Sequence, residues 1–167
     1  MKLTWYGTAT VGLDDGETKL LFDPFVRMNR RLETTPVEGF AGFDAVLVTH
    51  GHLNHKMPEN GEIVAFEITH GEKRIFLTGS FRDTPEIAYP KDVDLLVLAN
   101  GGSVFVPEKT KAFLKKYTPK AILVDHFDDA FPPVTRNVSV KRLRRTVKKN
   151  HPEIRFIVPE IGRAIEI

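Results

Sequence analysis

The chain has no cysteine, no glutamine and no long apolar run. Without cysteine it can form neither disulfides nor thiolate metal ligands, so any transition metal must be bound by histidine nitrogen and by oxygen. The longest apolar runs, such as Leu95–Ala99, fall far short of the roughly 18 residues that a membrane span needs. Met1 leads straight into a strand-like segment instead of an apolar signal region. These absences predict a soluble cytoplasmic protein that is not associated with a membrane.

Length and charge set only wide limits on function. The 167 residues, of which 41% are hydrophobic, suffice for one ordinary core and predict a single domain over residues 1–167. A formal net charge of +2 permits an anionic small-molecule substrate without requiring one, and it argues only weakly for nucleic acid as a partner. The lack of glutamine beside abundant lysine and glutamate also occurs in proteins from hot environments, which indicates habitat and not activity.

Hydrophobic periodicity predicts a strand-rich first half and two helices in the second half. Apolar alternation or short β-branched runs predict strands at 2–6, 8–13, 19–22, 45–49, 63–68, 74–78, 95–99, 121–124, 155–158 and 164–167. Helical spacing predicts helices over 107–117 and 139–150. A β meander followed by strands joined through helices is typical of an α/β protein with two packed sheets and helices outside them.

Three histidines follow directly after the apolar strand that ends at Thr49. These are His50, His52 and His55, and His126 likewise follows an apolar strand later in the chain. An isolated histidine in such a place is more often a hydrogen-bonded loop residue. Three within six residues favour a metal-binding loop, since alternate residues beyond a strand point the same way and can converge on one ion.

This segment resembles the His-x-His-x-Asp-His motif of the metallo-β-lactamase superfamily. The opening residues 3–24, which end in Leu-Leu-Phe-Asp-Pro, resemble the branch that contains the L-ascorbate-phosphate lactonases. Thr78-Gly79-Ser80 stands where the family has Thr-Gly-Asp, and residues 121–133 are similar to its late histidine segment. The resemblance implies a four-layer αββα sandwich, here with reduced helix content in the first half. It also implies divalent metal that activates water for attack on a carbonyl or phosphorus centre.

The family's two metal sites carry over only in part. His50 and His52 match ligands of the first metal, whereas the second metal would be held by the residues at the remaining motif positions. Those positions are Asn54, His55, Ser80 and His126. Asn54 and Ser80 stand where the family has carboxylates, and the family's third histidine of the first metal has no counterpart. His70 is expected at a hairpin tip, roughly 20 Å or more from the site, and His151 is expected to be an exposed neighbour of a helix end.

The loss of both carboxylates makes a two-metal site doubtful, because two divalent ions held close together need anionic ligands. The remaining imidazoles of His50, His52, His55 and His126 suit one zinc ion, with manganese or iron as alternatives and a metal-free chain as a further one. Asn54 and Asp128 are the candidate catalytic positions. Asn54 is an amide that cannot act as a base, whereas Asp128 could orient a histidine or accept a proton. Asp23 is expected to lie beside the histidine segment and support it.

Three functions remain open on the sequence alone. The first is a metal-dependent hydrolase that acts on a small ester, lactone or phosphoester through metal-activated water. The second is a non-catalytic module that keeps the fold for binding or assembly after losing the metal carboxylates. The third is nucleic-acid binding through the basic segment 139–150, although charged helix faces are usually only solvated. Homo-oligomer formation is compatible with each of them.

Overall fold

The predicted pattern of strands and helices appears in the computed structural model, which describes residues 1–25, 40–49, 64–79, 89–99, 107–127 and 139–167. The strands are β1 (Lys2–Gly7), β2 (Thr10–Asp14), β3 (Lys19–Phe22), β4 (Ala45–Leu47), β5 (Phe66–His70), β6 (Lys73–Leu77), β7 (Leu95–Ala99), β8 (Ala121–Asp125), β9 (Arg155–Ile157) and β10 (Ala164–Glu166). The helices are α1 (Pro107–Lys116) and α2 (Val140–Asn150). Every predicted element has its counterpart, and the bounds differ by only a few residues.

Two five-stranded sheets form from these strands. The first has the order β10-β1-β2-β3-β4, in which β3 and β4 run parallel and the other neighbours antiparallel. The second has the order β5-β6-β7-β8-β9, in which the β5–β6 hairpin is antiparallel and the other pairs are parallel. The carboxyl ends of parallel strands lie at one edge of a sheet, so the residues after β6, β7 and β8 share an edge.

The main core lies between the two sheets. Alternate residues of each strand point to the same face, so every second apolar residue of β1, β2, β6, β7 and β8 enters this layer. Its buried members are Leu3, Trp5, Val11, Leu13, Phe22, Ile75, Leu77, Leu95, Val97 and Leu123. The sheets are therefore held face to face by aliphatic and aromatic side chains from both of them.

A second core forms where both helices pack against the outer face of the second sheet. Phe113 and Leu114 of α1 and Leu143 and Val147 of α2 are buried there with residues of β7 and β8. The Ser139 side chain caps α2 by accepting a hydrogen bond from the Arg142 N–H at 3.3 Å. The architecture is thus mixed α/β with two stacked sheets, and within the described ranges the helices occur only in the second half. No helix covers the outer face of the first sheet within those ranges.

No helix in the described part of the chain is long and apolar enough to cross a lipid bilayer. The longer of the two, α2, has eleven residues and six of them are cationic.

Asp94 connects the starts of β6, β7 and β8 in the second sheet through hydrogen bonds. Its carboxylate accepts hydrogen bonds from the Lys120 ammonium at 2.7 Å and from the Arg74 backbone N–H at 2.8 Å. The Lys120 hydrogen bond and then the Arg74 N–H lower the pKa of Asp94 below its ordinary value of 3.8. A carboxyl group with a lowered pKa stabilises the fold above its unfolded-state pKa, and this contribution is lost as the pH falls through the folded-state pKa.

Asp94→Asn is therefore expected to lower the free energy of unfolding by about 1 kcal/mol near neutral pH and by less near about pH 3. Urea denaturation at both pH values measures this difference. Asp92→Asn is the matched control, because Asp92 lies two residues away in a left-handed conformation that asparagine also adopts readily. Equal losses for Asp94→Asn at the two pH values would contradict a role for the ionised carboxylate.

Candidate metal centre

Of the predicted metal-binding and catalytic residues, only His126 lies within the described part of the chain, as does Asp23, the predicted support. His50, His52, Asn54, His55, Ser80 and Asp128 lie outside the described residues. The residues next to several of these positions are described, however, and they show which strand ends approach one another. Within the described ranges no three histidine or acidic side chains are grouped closely enough to hold a metal ion by themselves.

His126 follows β8 directly and is fixed from several sides. Its backbone adopts a positive φ of 53°, and its N–H donates to the Thr8 carbonyl at 2.8 Å. The ring Nδ1 lies 2.9 Å from Oδ1 of Asp125, whose side chain is buried. The next residue, Phe127, stacks on Trp5 with a centroid distance of 4.7 Å. The backbone at His126 is thus held against the first sheet, and the ring is held by Asp125.

The Asp125 carboxylate determines which nitrogen of His126 is available. An ionised carboxylate can only accept a hydrogen bond, so the pair favours the tautomer with hydrogen on Nδ1, which donates to Asp125. The lone pair then resides on Nε2, which is the arrangement by which carboxylates orient and strengthen metal-binding histidines. The Asp125–His126 pair has the chemistry of a metal ligand with its supporting group.

Asp23 anchors the residue that precedes His50. The backbone N–H and the hydroxyl of Thr49 donate to the two carboxylate oxygens of Asp23 at 2.7 and 2.8 Å. Asp23 has a positive φ of 43° and donates its own N–H to the Leu47 carbonyl. Both Asp23 and Thr49 are buried, with 4% and 1% exposure. The start of the histidine segment is therefore tied to the carboxyl end of β3.

Gly79 brings the end of β6 against the same threonine. A Cβ atom at Gly79 would lie 2.5 Å from the Thr49 hydroxyl oxygen, which is closer than real side chains approach. Thr78, just before it, is buried and donates its hydroxyl to the Val97 carbonyl. The chain segments that lead into His50 and Ser80 therefore come from different sheets and lie in contact.

Two buried carboxyl groups, those of Asp23 and Asp125, lie at the described part of this edge. Burial raises the pKa of Asp23 above its ordinary value of 3.8, and the hydrogen bonds from Thr49 and the nearby His126 offset only part of that rise, to which Asp125 also contributes. Asp23, Asp125 and His126 are therefore close enough to influence one another electrically. Two buried carboxylates beside an oriented imidazole favour a cation, because a nearby positive charge would offset their desolvation. These residues fit a divalent metal, to which His126 would contribute Nε2.

Comparisons with known proteins show similarity to the metallo-β-lactamase superfamily. The model of the beta-lactamase superfamily domain matches residues 2–79. A UPF0173 metal-dependent hydrolase from Halobacterium salinarum is 34% identical over 106 residues, which cover 64% of this chain and 41% of that protein. The metallo-beta-lactamase fold protein YhfI from Bacillus subtilis superimposes with a TM-score of 0.68 at 14% identity, covering 99% of each chain. The chain therefore has the metallo-β-lactamase fold and is similar in sequence to metal-dependent hydrolases over part of its length.

A further solved structure extends the likeness in fold. A metallo hydrolase from the hyperthermophilic archaeon Ignicoccus hospitalis has a TM-score of 0.73 at 15% identity and covers 99% of this chain and 98% of its own. At such identity a shared metallo-β-lactamase fold does not specify a shared substrate. The sequence match to the halobacterial relative covers less than half the length of that protein. The predicted α/β sandwich is confirmed, whereas the lactonase-like branch stays a prediction.

The metallo-β-lactamase motif positions do not include two residues that matter at this edge. Asp125 and Thr49 carry the contacts to His126 and Asp23, yet neither was predicted as part of the site. The Asp-His pair at the end of an apolar strand was the available signal for Asp125, since adjacent carboxylate and imidazole groups readily pair. Thr49 gave no comparable signal because its partner Asp23 is 26 residues away.

Two histidines that the prediction set aside lie away from this edge. His70 ends β5 at the hairpin tip, with its Nδ1 3.2 Å from a carboxylate oxygen of Asp15 in the β2–β3 turn. His151 caps α2 through a hydrogen bond from its N–H to the Val147 carbonyl. Its side chain is 17% exposed, so the expectation of an exposed residue was wrong. As the C-cap residue of α2, His151 follows the last turn of the helix directly.

Proposed function

We propose that this chain belongs to the metallo-β-lactamase superfamily and is a metal-dependent hydrolase of a small ester, lactone or phosphoester. The observation that carries the proposal is the oriented Asp125–His126 pair at the sheet edge where Asp23 anchors Thr49. Thr49 directly precedes His50, so the two histidine segments of the sequence begin at the same edge. The name of the halobacterial relative, a metal-dependent hydrolase, supports the same activity.

The ligands of one divalent ion, with zinc favoured, would be the four imidazoles of His50, His52, His55 and His126. Asn54 and Ser80 would supply neutral oxygen atoms at the positions where the family has carboxylates. When bound, such an ion would lower the pKa of a water molecule and so supply a nucleophile near neutral pH. Four neutral ligands leave the site with more positive charge than the family's usual set, which suits an anionic substrate.

The chain's own residues have separate tasks in this proposal. Asp125 holds the His126 ring by its Nδ1, and Asp23 holds the backbone of Thr49, so both act as positioning residues. Asp128 is the candidate proton acceptor, because Asn54 cannot accept a proton at neutral pH. A small substrate with a carbonyl or phosphorus centre offers the electrophile that such a site attacks.

The neutral side chains at Asn54 and Ser80 favour one alternative, a non-catalytic binding or assembly module. The two functions differ in whether the purified protein carries metal. A hydrolase site retains a stoichiometric ion through purification, whereas a module whose site has decayed would contain none after metal-replete expression.

His126→Ala is the variant that tests the hydrolase. Wild-type protein grown with zinc is expected to contain about one metal ion per chain by elemental analysis, and His126→Ala only a trace. His70→Ala is the matched control, since His70 pairs with Asp15 at the hairpin tip, and its metal content should equal that of the wild type. Hydrolysis of nitrophenyl esters, lactones and phosphodiesters should fall with the metal content. Metal-free wild-type protein would favour the module, and full metal content in His126→Ala would contradict the assigned ligand.

A further inference from the structure

The outer surface of α2 is entirely cationic. Its basic residues are Lys141, Arg142, Arg144, Arg145, Lys148 and Lys149, and all six are exposed. The helix contains no acidic residue, and its buried apolar side chains, Leu143 and Val147, face the second sheet. These six charges exceed the formal net charge of +2 of the whole chain, so the remaining residues together are net acidic. Positive charge is thus concentrated on one side of the molecule.

These charges repel one another without compensation in the described part of the chain. None of the six cations forms a salt bridge to a described residue. Like charges stand four residues apart at Lys141 and Arg145, at Arg144 and Lys148, and at Arg145 and Lys149. Each such pair destabilises a helix by about 0.2–0.5 kcal/mol. In surfaces that merely favour stability at high temperature, cations are interleaved with acids in ion-pair networks, which α2 lacks.

The neighbouring helix extends this surface. α1 contacts α2, and its last turn carries the exposed residues Lys115 and Lys116. We call the six cations of α2 together with these two lysines the basic face. It lies on the outer side of the second sheet, whereas His126 lies at the carboxyl edge of β8. The basic face is therefore separate from the candidate metal centre.

We propose that the basic face binds the phosphate backbone of nucleic acid. Eleven residues of helix span about 16 Å, along which a duplex presents many phosphates. Arginine guanidinium groups bind phosphate in a bidentate manner, and three of the six cations of α2 are arginines. An anionic membrane is a poorer match, because helices that lie in a membrane surface insert an apolar face, whereas Leu143 and Val147 are buried in the core. The interaction is sequence-independent, since helix cations that contact phosphates do not distinguish bases.

The test compares two triple variants of equal net charge. Lys141→Gln, Arg145→Gln and Lys148→Gln remove three charges from the basic face, and Lys2→Gln, Lys73→Gln and Lys91→Gln remove three exposed charges elsewhere. Fluorescence anisotropy is measured with labelled RNA and DNA of about 20 nucleotides, single-stranded and duplex, from about 50 to 200 mM salt. The basic-face variant should bind at least tenfold more weakly than the wild type at low salt. The slope of its log affinity against the log of the salt concentration should be less negative than that of the wild type by about 2 to 3.

The control variant should bind within about twofold of the wild type, and both variants should be as resistant to urea as the wild type. Removing like charges from α2 relieves repulsion, so the basic-face variant gives a folded protein for the comparison. Absence of saturable binding by the wild type at low salt would overturn the proposal, as would equal losses in the two variants. Binding to vesicles of anionic lipid at least as tight as to nucleic acid, and lost in the same variant, would overturn it in favour of a membrane surface.

Discussion

Gly79→Ala is expected to lower the free energy of unfolding by about 3 kcal/mol, whereas Gly71→Ala should cost about 1 kcal/mol. Both glycines have a positive φ, 60° at Gly79 and 57° at Gly71, so alanine meets a similar conformational cost at either position. The surroundings of the two glycines differ. A Cβ atom at Gly71 would have no neighbour within 4 Å, whereas at Gly79 it would collide with the Cβ, Oγ1 and Cγ2 atoms of Thr49. The difference between the two losses therefore measures the contact with Thr49.

Urea denaturation would give both losses of unfolding free energy. The comparison requires that the slope of the unfolding free energy against urea concentration is the same in the variants and the wild type. The collision at Gly79 is costly because Thr49 is not free to move away. Its N–H and hydroxyl are both bound to the buried carboxylate of Asp23. Relief of the collision would thus break hydrogen bonds inside the protein. Equal losses for the two glycine variants would mean that the ends of β4 and β6 do not meet as described.

Gly79→Ala is also expected to disturb the candidate metal centre. Thr49 directly precedes His50, and Gly79 directly precedes Ser80. A shift of Thr49 would move the segment that carries three of the proposed ligands, so metal affinity should fall together with stability. Gly71→Ala, at the hairpin tip beside His70, should leave metal binding unchanged.

Most of the fold could be predicted from the sequence because local periodicity determines strands and helices. The alternation in Leu3, Trp5, Val11 and Leu13 predicted the face that lies in the main core. The helical spacing of Leu143 and Val147 predicted α2 in the same way. These features depend on residues a few positions apart, which a sequence displays directly.

The departures from prediction occur where long-range contacts override local pattern. Thr8 was expected in a strand, but it has a positive φ of 47° and its carbonyl accepts hydrogen bonds from Trp5 Nε1 and the His126 N–H. The strand expected to continue to Thr49 ends as β4 at Leu47, because Asp23 takes the Thr49 N–H. In both cases a residue at the candidate site leaves the sheet to hold another segment. The sequence indicated the histidines as candidate ligands and Asp23 as a support, but it did not indicate Thr8 or Thr49.

Restoring two carboxylates, by Asn54→Asp with Ser80→Asp, is expected to raise the metal content from about one to about two ions per chain. The proposed ligand set is neutral at both positions, and two adjacent divalent ions repel strongly without anionic ligands. Hydrolysis of activated esters or phosphodiesters should rise by about a hundredfold, since a second ion would stabilise negative charge that develops in the transition state. Elemental analysis and steady-state rates measure the two effects.

The matched control makes the same chemical changes on α2, as Ser139→Asp with Asn150→Asp. Aspartate replaces serine well at a helix N-cap, whereas Asn150→Asp loses the hydrogen bond that the Asn150 amide donates to the Thr146 carbonyl at 2.7 Å. This control should therefore remain folded with a small loss of stability while keeping the wild-type metal content and rate. If added negative charge alone changed the metal content and rate, both double variants would change alike. If the carboxylates act as metal ligands, only Asn54→Asp with Ser80→Asp will change them. If the first double variant also keeps the wild-type content of one ion, Asn54 and Ser80 do not occupy the family's metal positions. The assignment of the site would then rest on the four histidines alone.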